Sequence, residues 1–274
     1  MDGVFARLLA DHPRFRAAVE PGDGSRPLTV GEAAESDVIE RAVAAAGQLF
    51  GVSDPRHGGQ LWWFSAVNSI VGPSVTVMVG YDCVPDLDLD RGELFLSGAV
   101  ERYGDPGEGF WIGFTPGRVG AGSAVAWRAA GKDLARSVKP VVCAISRSTG
   151  VRSAPLWAVA ADGLAQAAVE AGNEVFDPYL GVRVAGELVA GLAAGVPDGV
   201  VVPEPRFLDI IGGRIFPTDM AAVSAGDEPD DVRTVVKRAS CCMIYHSPTV
   251  GKCLSCPRQE PDERERKLLS AFGG

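Results

Sequence analysis

The sequence predicts an α+β fold that is mainly α-helical: a helical bundle with a small antiparallel β region and a C-terminal cysteine motif. Three observations lead to this prediction. Long alanine-rich segments place apolar residues at helical spacing. Short β-rich runs cluster in the middle of the chain. Four of the six cysteines lie within sixteen residues near the C-terminus.

The composition is that of an ordinary globular protein. The 274 residues are 46% hydrophobic and 22% charged, with a net charge of −9. An acidic protein repels phosphate backbones, so we expect no nucleic-acid partner. The most apolar run, Leu61–Val79, is interrupted by Asn68, Gly72 and Pro73, and a membrane span needs about 20 apolar residues. We therefore expect a core helix or a helix–strand pair there, and no transmembrane segment.

The N-terminal part of the chain begins with a short amphipathic helix, and the pattern then predicts helices over Glu32–Phe50 and Leu61–Ile70. At Ser74–Val79 small polar and apolar residues alternate, which marks the start of a β-rich region. The β-rich runs Leu94–Leu96 and Phe110–Phe114 flank turn-forming residues at 104–109 and predict a hairpin. The sequence therefore predicts an N-terminal α+β subdomain over residues 1–118.

The rest of the chain, residues 119–274, is predicted to be a helical subdomain that ends in the cysteine motif. Three alanine-rich segments predict antiparallel helices, and Pro140 is expected to kink or split the first of them. These helices are Ser123–Ile145, Ser153–Ala171 and Phe176–Ala194. Further on, the pattern predicts β-structure at 207–216, a short helix over 230–237 and a terminal helix over 261–272.

The cysteine motif is Cys241-Cys242, then Cys253 and Cys256, with the spacing C-C-x10-C-x2-C. Four thiolates this close can surround one metal centre, either an iron–sulfur cluster or a structural zinc. Zinc sites usually use two spaced pairs, whereas neighbouring cysteines diverge and suit a larger two-iron cluster. The spacing therefore favours [2Fe–2S], and it leaves zinc and disulfides as alternatives.

The motif resembles the C-terminal signature of the FhuF-like ferric-siderophore reductases. That family has an Arg-x-Ser before the cysteine pair, a Tyr three residues after it, and a final Cys-Pro. The corresponding residues here are Arg238, Ser240, Cys241, Cys242, Tyr245, Cys253, Cys256 and Pro257. The resemblance covers about twenty residues. The loop between the cysteine pairs departs from the family habit, because it keeps one glycine and adds Lys252.

The resemblance implies a cytoplasmic [2Fe–2S] enzyme that reduces a ferric siderophore, of hydroxamate type, by one electron so that iron is released. The sequence shows no flavin or nicotinamide site, so the electron must come from an unidentified donor protein or a small reductant. Two alternatives stay open: a ferredoxin-like electron carrier, and a zinc-stabilised binding module without redox activity. We expect a monomer in the cytoplasm, with association with the inner face of the cell membrane left open.

His246 is a candidate catalytic residue because it lies inside the motif, four residues after Cys242. It could couple proton transfer to electron transfer or tune the cluster through a hydrogen bond, or it could be a surface residue of the loop. His12 and His57 are interpreted as ordinary surface histidines. The glycine-rich 117–122 has the order G-x-x-G-x-G, which differs from the dinucleotide-binding fingerprint.

Overall fold

The computed structural model describes residues 3–97 and 111–273, and within these ranges the fold is predominantly α-helical, as predicted. The longest helices alternate with short loops, and several of them begin at a proline. The α-helices of the described residues are α1 (Gly3–Asp11), α2 (Arg16–Val19), α3 (Val30–Ala33), α4 (Ser36–Phe50), α5 (Pro55–Gly80), α6 (Ala124–Thr149), α7 (Ser153–Glu174), α8 (Pro178–Gly195), α9 (Met220–Ala225) and α10 (Pro261–Phe272).

The described strands form three small antiparallel sheets, with the orders β1-β3-β4, β2-β5 and β7-β6-β8. The third sheet lies directly before the cysteine motif. The strands are β1 (Arg26–Leu28), β2 (Cys83–Pro85), β3 (Glu93–Leu96), β4 (Ile112–Thr115), β5 (Val119–Ala121), β6 (Phe207–Ile211), β7 (Arg214–Pro217) and β8 (Arg233–Val236).

The core is a layer of four long helices in which α5 packs on α7, α7 on α8, and α8 on α6. The side chains of Trp62, Trp63 and Trp157 are fully buried there and belong to the apolar core. The indole of Trp63 donates a 2.8 Å hydrogen bond from Nε1 to the carbonyl oxygen of Leu156, so α5 and α7 are also joined by a polar contact.

Helices α6 and α8 approach each other so closely that only glycine fits at their contact points. A Cβ on Gly131 would lie 2.0 Å from the carbonyl oxygen of Leu188, and one on Gly191 would lie 1.9 Å from that of Arg128. Real Cβ atoms never come this close to a carbonyl oxygen. These two glycines therefore set the spacing of the bundle on the side away from α5.

Helix α5 is longer than predicted at both ends. It begins at Pro55, six residues before the predicted start at Leu61, and Asp54 caps it by accepting a 2.8 Å hydrogen bond from the backbone N–H of Arg56. It also continues through Ser74–Val79 to Gly80. The sequence pattern did not reveal this extension, because a helix buried on all sides need not show a helical period. By length and composition α5 could cross a membrane, and 67% of its most apolar window is buried inside the protein.

Three other predicted elements differ from the structure. The predicted helix at Glu32 begins only at Ser36, because Thr29 and Glu32 form a capping box that closes the separate turn α3. Helix α6 runs without a break past Pro140, so the expected split is absent. Residues 233–236 form strand β8 and no helix, because their β-branched side chains complete the edge of a sheet beside β6.

The predicted pairing of the two central β-rich runs is confirmed, since β3 and β4 are antiparallel neighbours with Leu94 opposite Phe114. The turn predicted at 104–109, and Phe110, lie outside the described residues. The predicted division into residues 1–118 and 119–274 stays a prediction. The largest apolar cluster contains residues from both parts, Trp63 and Leu134 among them.

Candidate metal centre

The four motif cysteines lie in a segment that has little regular structure and follows directly after β8. This cysteine segment, residues 238–258, contains one short 3₁₀ turn at Ile244–His246. Because such a segment lacks the hydrogen-bond ladder of a helix or sheet, its shape must be fixed by contacts with the bundle. Two buried polar side chains of the helical core supply these contacts.

Two side chains anchor the backbone at the cysteine pair. Asp162 on α7 holds the residues just before the pair, and Gln60 on α5 holds its first cysteine. The side-chain Nε2 of Gln60 donates a 2.7 Å hydrogen bond to the carbonyl oxygen of Cys241. The carboxylate of Asp162 accepts hydrogen bonds from the N–H groups of Ala239 and Ser240, at 3.1 and 2.6 Å, and from the Ser240 hydroxyl. The cysteine pair is therefore held in the crevice between α5 and α7.

The second pair is fixed from its C-terminal side. The backbone N–H of Cys256 donates to the carbonyl oxygen of Cys253 at 3.1 Å, which closes a tight turn between the two residues. The side-chain Nε2 of Gln259 donates a 2.8 Å hydrogen bond to the same carbonyl oxygen. Both thiols of the pair therefore project from one compact turn.

The four thiols converge. The thiol groups of Cys241 and Cys242 share a hydrogen bond, Cys242 also hydrogen-bonds Cys253, and Cys241 hydrogen-bonds Cys256. None of the four forms a disulfide; Cys241, Cys242 and Cys256 are buried and Cys253 is partly buried. The other two cysteines lie elsewhere on the fold: Cys83 is partly buried in β2, and Cys143 is exposed on α6.

Backbone N–H groups also point at the sulfur atoms. Met243 adopts a left-handed conformation (φ 65°), and its N–H donates to Sγ of Cys241 at 3.4 Å. The N–H of Ile244 donates to the thiol of Cys242. Left-handed backbone is costly for a residue with a side chain and tends to occur at functional sites. Here it aims two donors at sulfur atoms that carry negative charge when they bind a metal.

The thiol pKa values are uneven because neighbouring sulfurs share protons. The pKa of Cys241 is lowered, chiefly by its hydrogen bond with Cys242, and the same bond raises the pKa of Cys242. The pKa of Cys253 is also raised, first by its hydrogen bond with Cys242 and then by burial. Metal ligands must be thiolates, so metal binding at this site releases protons.

The donor set fits a two-iron cluster. Four free thiols are the ligand complement of a [2Fe–2S] cluster. Within residues 3–97 and 111–273, no three His, Cys, Asp or Glu side chains are placed as ligands of a single metal ion. The sulfurs instead form a chain of contacts from Cys253 to Cys242 to Cys241 to Cys256.

His246 lies at the rim of the site. It is exposed, and its ring stacks on that of His57 from α5, with ring centroids 3.7 Å apart and an interplanar angle of 13°. Burial and the neighbouring His57 lower the pKa of His246. Its role in proton coupling or cluster tuning stays a prediction. His57 was interpreted as an ordinary surface residue, but it shares this contact.

A cleft of about 600 Å³ opens beside the cysteine pair. Its walls come from α5, α7 and the cysteine segment. The described residues that line it are Gln60, Pro155, Ala158, Ala239, Ser240, Cys241, Met243, Pro257 and Arg258. The volume lies within the range of small-ligand sites.

The fold and the four-thiol site define an iron–sulfur protein whose cofactor is a [2Fe–2S] cluster. Residues 238–258 match the family model described as the FhuF 2Fe-2S C-terminal domain. This match confirms the resemblance to the FhuF-like family at the cysteine segment, where it includes Arg238 and all four motif cysteines. No curated protein matches the chain.

Sequence reasoning singled out the four cysteines that the structure brings together, but it missed the residues that hold their backbone. Gln60 and Asp162 are nearly inaccessible to solvent, with 3% and 4% of their surface exposed. One signal could have pointed to them: each is a polar residue inside an otherwise apolar helical stretch, Gln60 beside Leu61–Phe64 and Asp162 within 156–165. A buried polar side chain needs a partner, and here the partner is the backbone of the cysteine segment.

Proposed function

We propose that this protein is a cytoplasmic ferric-siderophore reductase that reduces a hydroxamate-type complex of Fe(III) by one electron. The observation that carries the proposal is the cleft that reaches Cys241, one of the four thiol ligands. A cleft of about 600 Å³ can admit part of a metal complex close to the cluster. An electron carrier without a substrate needs no such cleft.

The chemistry requires little of the protein beyond positioning. Hard Fe(III) is held strongly by the oxygen donors of a hydroxamate, and Fe(II), with its lower charge density, is held far more weakly. When bound, the [2Fe–2S] cluster supplies one electron at a time at a potential that its surroundings set. Gaining that electron converts Fe(III) to Fe(II), which then leaves the siderophore.

The residues that line the cleft bring the complex near the thiols. Pro155 and Ala158 of α7 offer an apolar wall, and Gln60 and Ser240 offer polar groups. Arg258 is exposed at the rim and is the one charged residue among the described residues that line the cleft. We infer that the complex enters past Arg258 and rests on α7.

The proposed electron donor is a separate reductase, a ferredoxin-type protein or a small reductant. The proposal places a monomer in the cytoplasm, where association with the inner face of the cell membrane would bring it near imported siderophores. The net charge of −9 supports a partner other than nucleic acid.

The test is anaerobic stopped-flow mixing of dithionite-reduced, desalted protein with a ferric trihydroxamate in the presence of an Fe(II) chelator. We expect reoxidation of the protein, release of about one Fe(II) per reduced protein, and a rate that saturates with complex concentration. The gallium(III) complex of the same siderophore is the control, because it has the same shape and charge but accepts no electron. Equal, non-saturating rates for every oxidant would support a plain electron carrier.

A variant that fills the cleft sharpens this test. Ala158→Trp should slow reduction of the ferric hydroxamate by tenfold or more, while ferricyanide, a small oxidant, still reoxidises the protein at the native rate. Ala190→Trp on the exposed face of α8 is the matched control. Equal slowing of both oxidants by Ala158→Trp would argue against the cleft as the substrate site.

A further inference from the structure

Arg238 is a buried cation with unpartnered hydrogen-bond donors. Only 3% of its surface is exposed, and it lies three residues before Cys241. Its Nε and Nη2 atoms have no hydrogen-bond acceptor within the part of the chain that the structure describes. A guanidinium is always charged, and burying a charge without hydrogen bonds is costly. Donors in such a position indicate an acceptor that binds with the cofactor.

The neighbouring carboxylate balances the charge of Arg238 without satisfying its donors. Oδ2 of Asp162 lies 3.7 Å from Nε of Arg238, beyond hydrogen-bond distance. The carboxylate is already occupied by the N–H groups of Ala239 and Ser240 and by the Ser240 hydroxyl. Asp162 therefore keeps the guanidinium in place and leaves its N–H groups available.

The guanidinium also lies beside the thiols. It stacks over the ring of Phe64, 4.7 Å from the ring centroid. Phe64 packs against the apolar cluster that contains Cys242, and Cys253 packs against the same cluster. The charge of Arg238 acts on both of these cysteines. The strongest acceptors that can occupy this space are the sulfur atoms of the bound cluster.

We propose that Arg238 sets the reduction potential of the [2Fe–2S] cluster by placing a buried positive charge and free N–H donors beside it, with Asp162 as the residue that positions the guanidinium. Four thiolates and two sulfides give the oxidised cluster a double negative charge, and reduction makes it triple. A fixed cation stabilises the more negative state more strongly, so Arg238 raises the potential. This inference depends on the cofactor and not on the siderophore.

The test is an EPR-monitored redox titration of the purified holoprotein and of the variants Arg238→Lys, Arg238→Gln and Arg238→Met. Gln and Met remove the charge, so we expect the equilibrium constant for reduction to fall at least tenfold, which is 59 mV for one electron. Lys keeps the charge but loses the planar fork of donors, so its potential should fall by less. Arg128→Met, which removes an exposed arginine paired with Glu187, is the control and should leave the potential unchanged.

A native potential in the Gln variant would overturn the proposal. Where Gln and Met prevent cluster assembly, the Lys variant decides on the N–H donors: a lowered potential supports the proposal, and a native potential overturns the part of it that assigns a role to the donors. Loss of the cluster from all three variants also overturns it in favour of a structural role. A native protein that holds zinc and shows no EPR signal would overturn the proposal together with the cofactor, whereas failure to reduce a siderophore would leave the titration intact.

Discussion

The helical core and the cysteine segment are held together by different forces. The core buries large apolar side chains from α5 to α8, such as Trp62 and Trp157, and this burial needs no cofactor. The cysteine segment has one short 3₁₀ turn, and its backbone is held by hydrogen bonds that Gln60 and Gln259 donate and that Asp162 accepts. We therefore expect folding and metal binding to be separable in this protein, because the core is a scaffold that presents polar anchors to the segment.

The strongest way to separate the two regions is to remove one ligand. Cys242→Ser should abolish the visible absorption and the bound iron and sulfide, because serine is a poor ligand for this cluster. The thermal unfolding of the helices, followed by far-UV circular dichroism, should change little. Cys143→Ser, which alters an exposed thiol on α6, is the control and should retain native colour. Unfolding of the whole bundle in Cys242→Ser would show that the core depends on the metal.

The reverse change perturbs the core and spares the segment. Gly191→Ala would push a methyl group into the carbonyl oxygen of Arg128, so the free energy of unfolding should fall by about 1–3 kcal/mol. The cluster spectrum of the folded protein should stay native. Gly186→Ala on the same helix meets no atom within 4 Å, and it should stabilise the helix by about 0.5–1 kcal/mol. Urea denaturation of both variants measures the difference.

A smaller effect should follow from weakening one anchor between the regions. Asp162→Asn keeps the shape of the side chain but turns one acceptor into a donor, so the hydrogen bonds to Ala239 and Ser240 are impaired. We expect faster loss of iron to a chelator and also a lower melting temperature, because Asn no longer balances the buried charge of Arg238. Glu170→Gln, an exposed change on the same helix, should lose iron at the native rate. Equal rates in Asp162→Asn and the native protein would contradict the anchoring role.

The smallest expected effect concerns the histidine pair at the rim. Burial and then His57 lower the pKa of His246, so the native ring takes up a proton at lower pH than it does in the unfolded chain. As the pH falls below the usual histidine pKa of about 6.5, the unfolded state binds more protons and stability decreases. His57→Ala should move the pKa of His246 upward, as seen in an NMR titration of labelled histidine. His12→Ala is the control and should leave the pKa of His246 unchanged. An unchanged pKa of His246 in His57→Ala would contradict an electrostatic effect of the stack.

The sequence singled out the four cysteines as candidate ligands because an adjacent cysteine pair followed by Cys253 and Cys256 is a local pattern. It also predicted α7 and the β-structure at 207–216, where β6 and β7 lie, because these patterns are likewise local. It could not predict that Ser74–Val79 is helical, because a helix buried on all sides loses its period. Strand β8 was missed because its pairing with β6 depends on tertiary contacts.

The anchors were beyond the reach of sequence reasoning for the same reason. Gln60 lies 181 positions from Cys241 and Asp162 lies 78 positions from Ser240, so only the packing of α5 against α7 brings them to the motif. The contact between His57 and His246 has the same origin. Residues at such separations leave no periodic signal in a single sequence.

The measurement that tests the central claim most directly is an analysis of anaerobically purified protein for iron, sulfide and zinc, together with EPR spectra before and after dithionite. The account predicts a red-brown protein with about two irons and two sulfides per chain, which is EPR-silent when oxidised and shows a spin-half signal when reduced. A colourless protein with one zinc per chain would contradict the account, because the four cysteines would then be a structural clamp without redox chemistry.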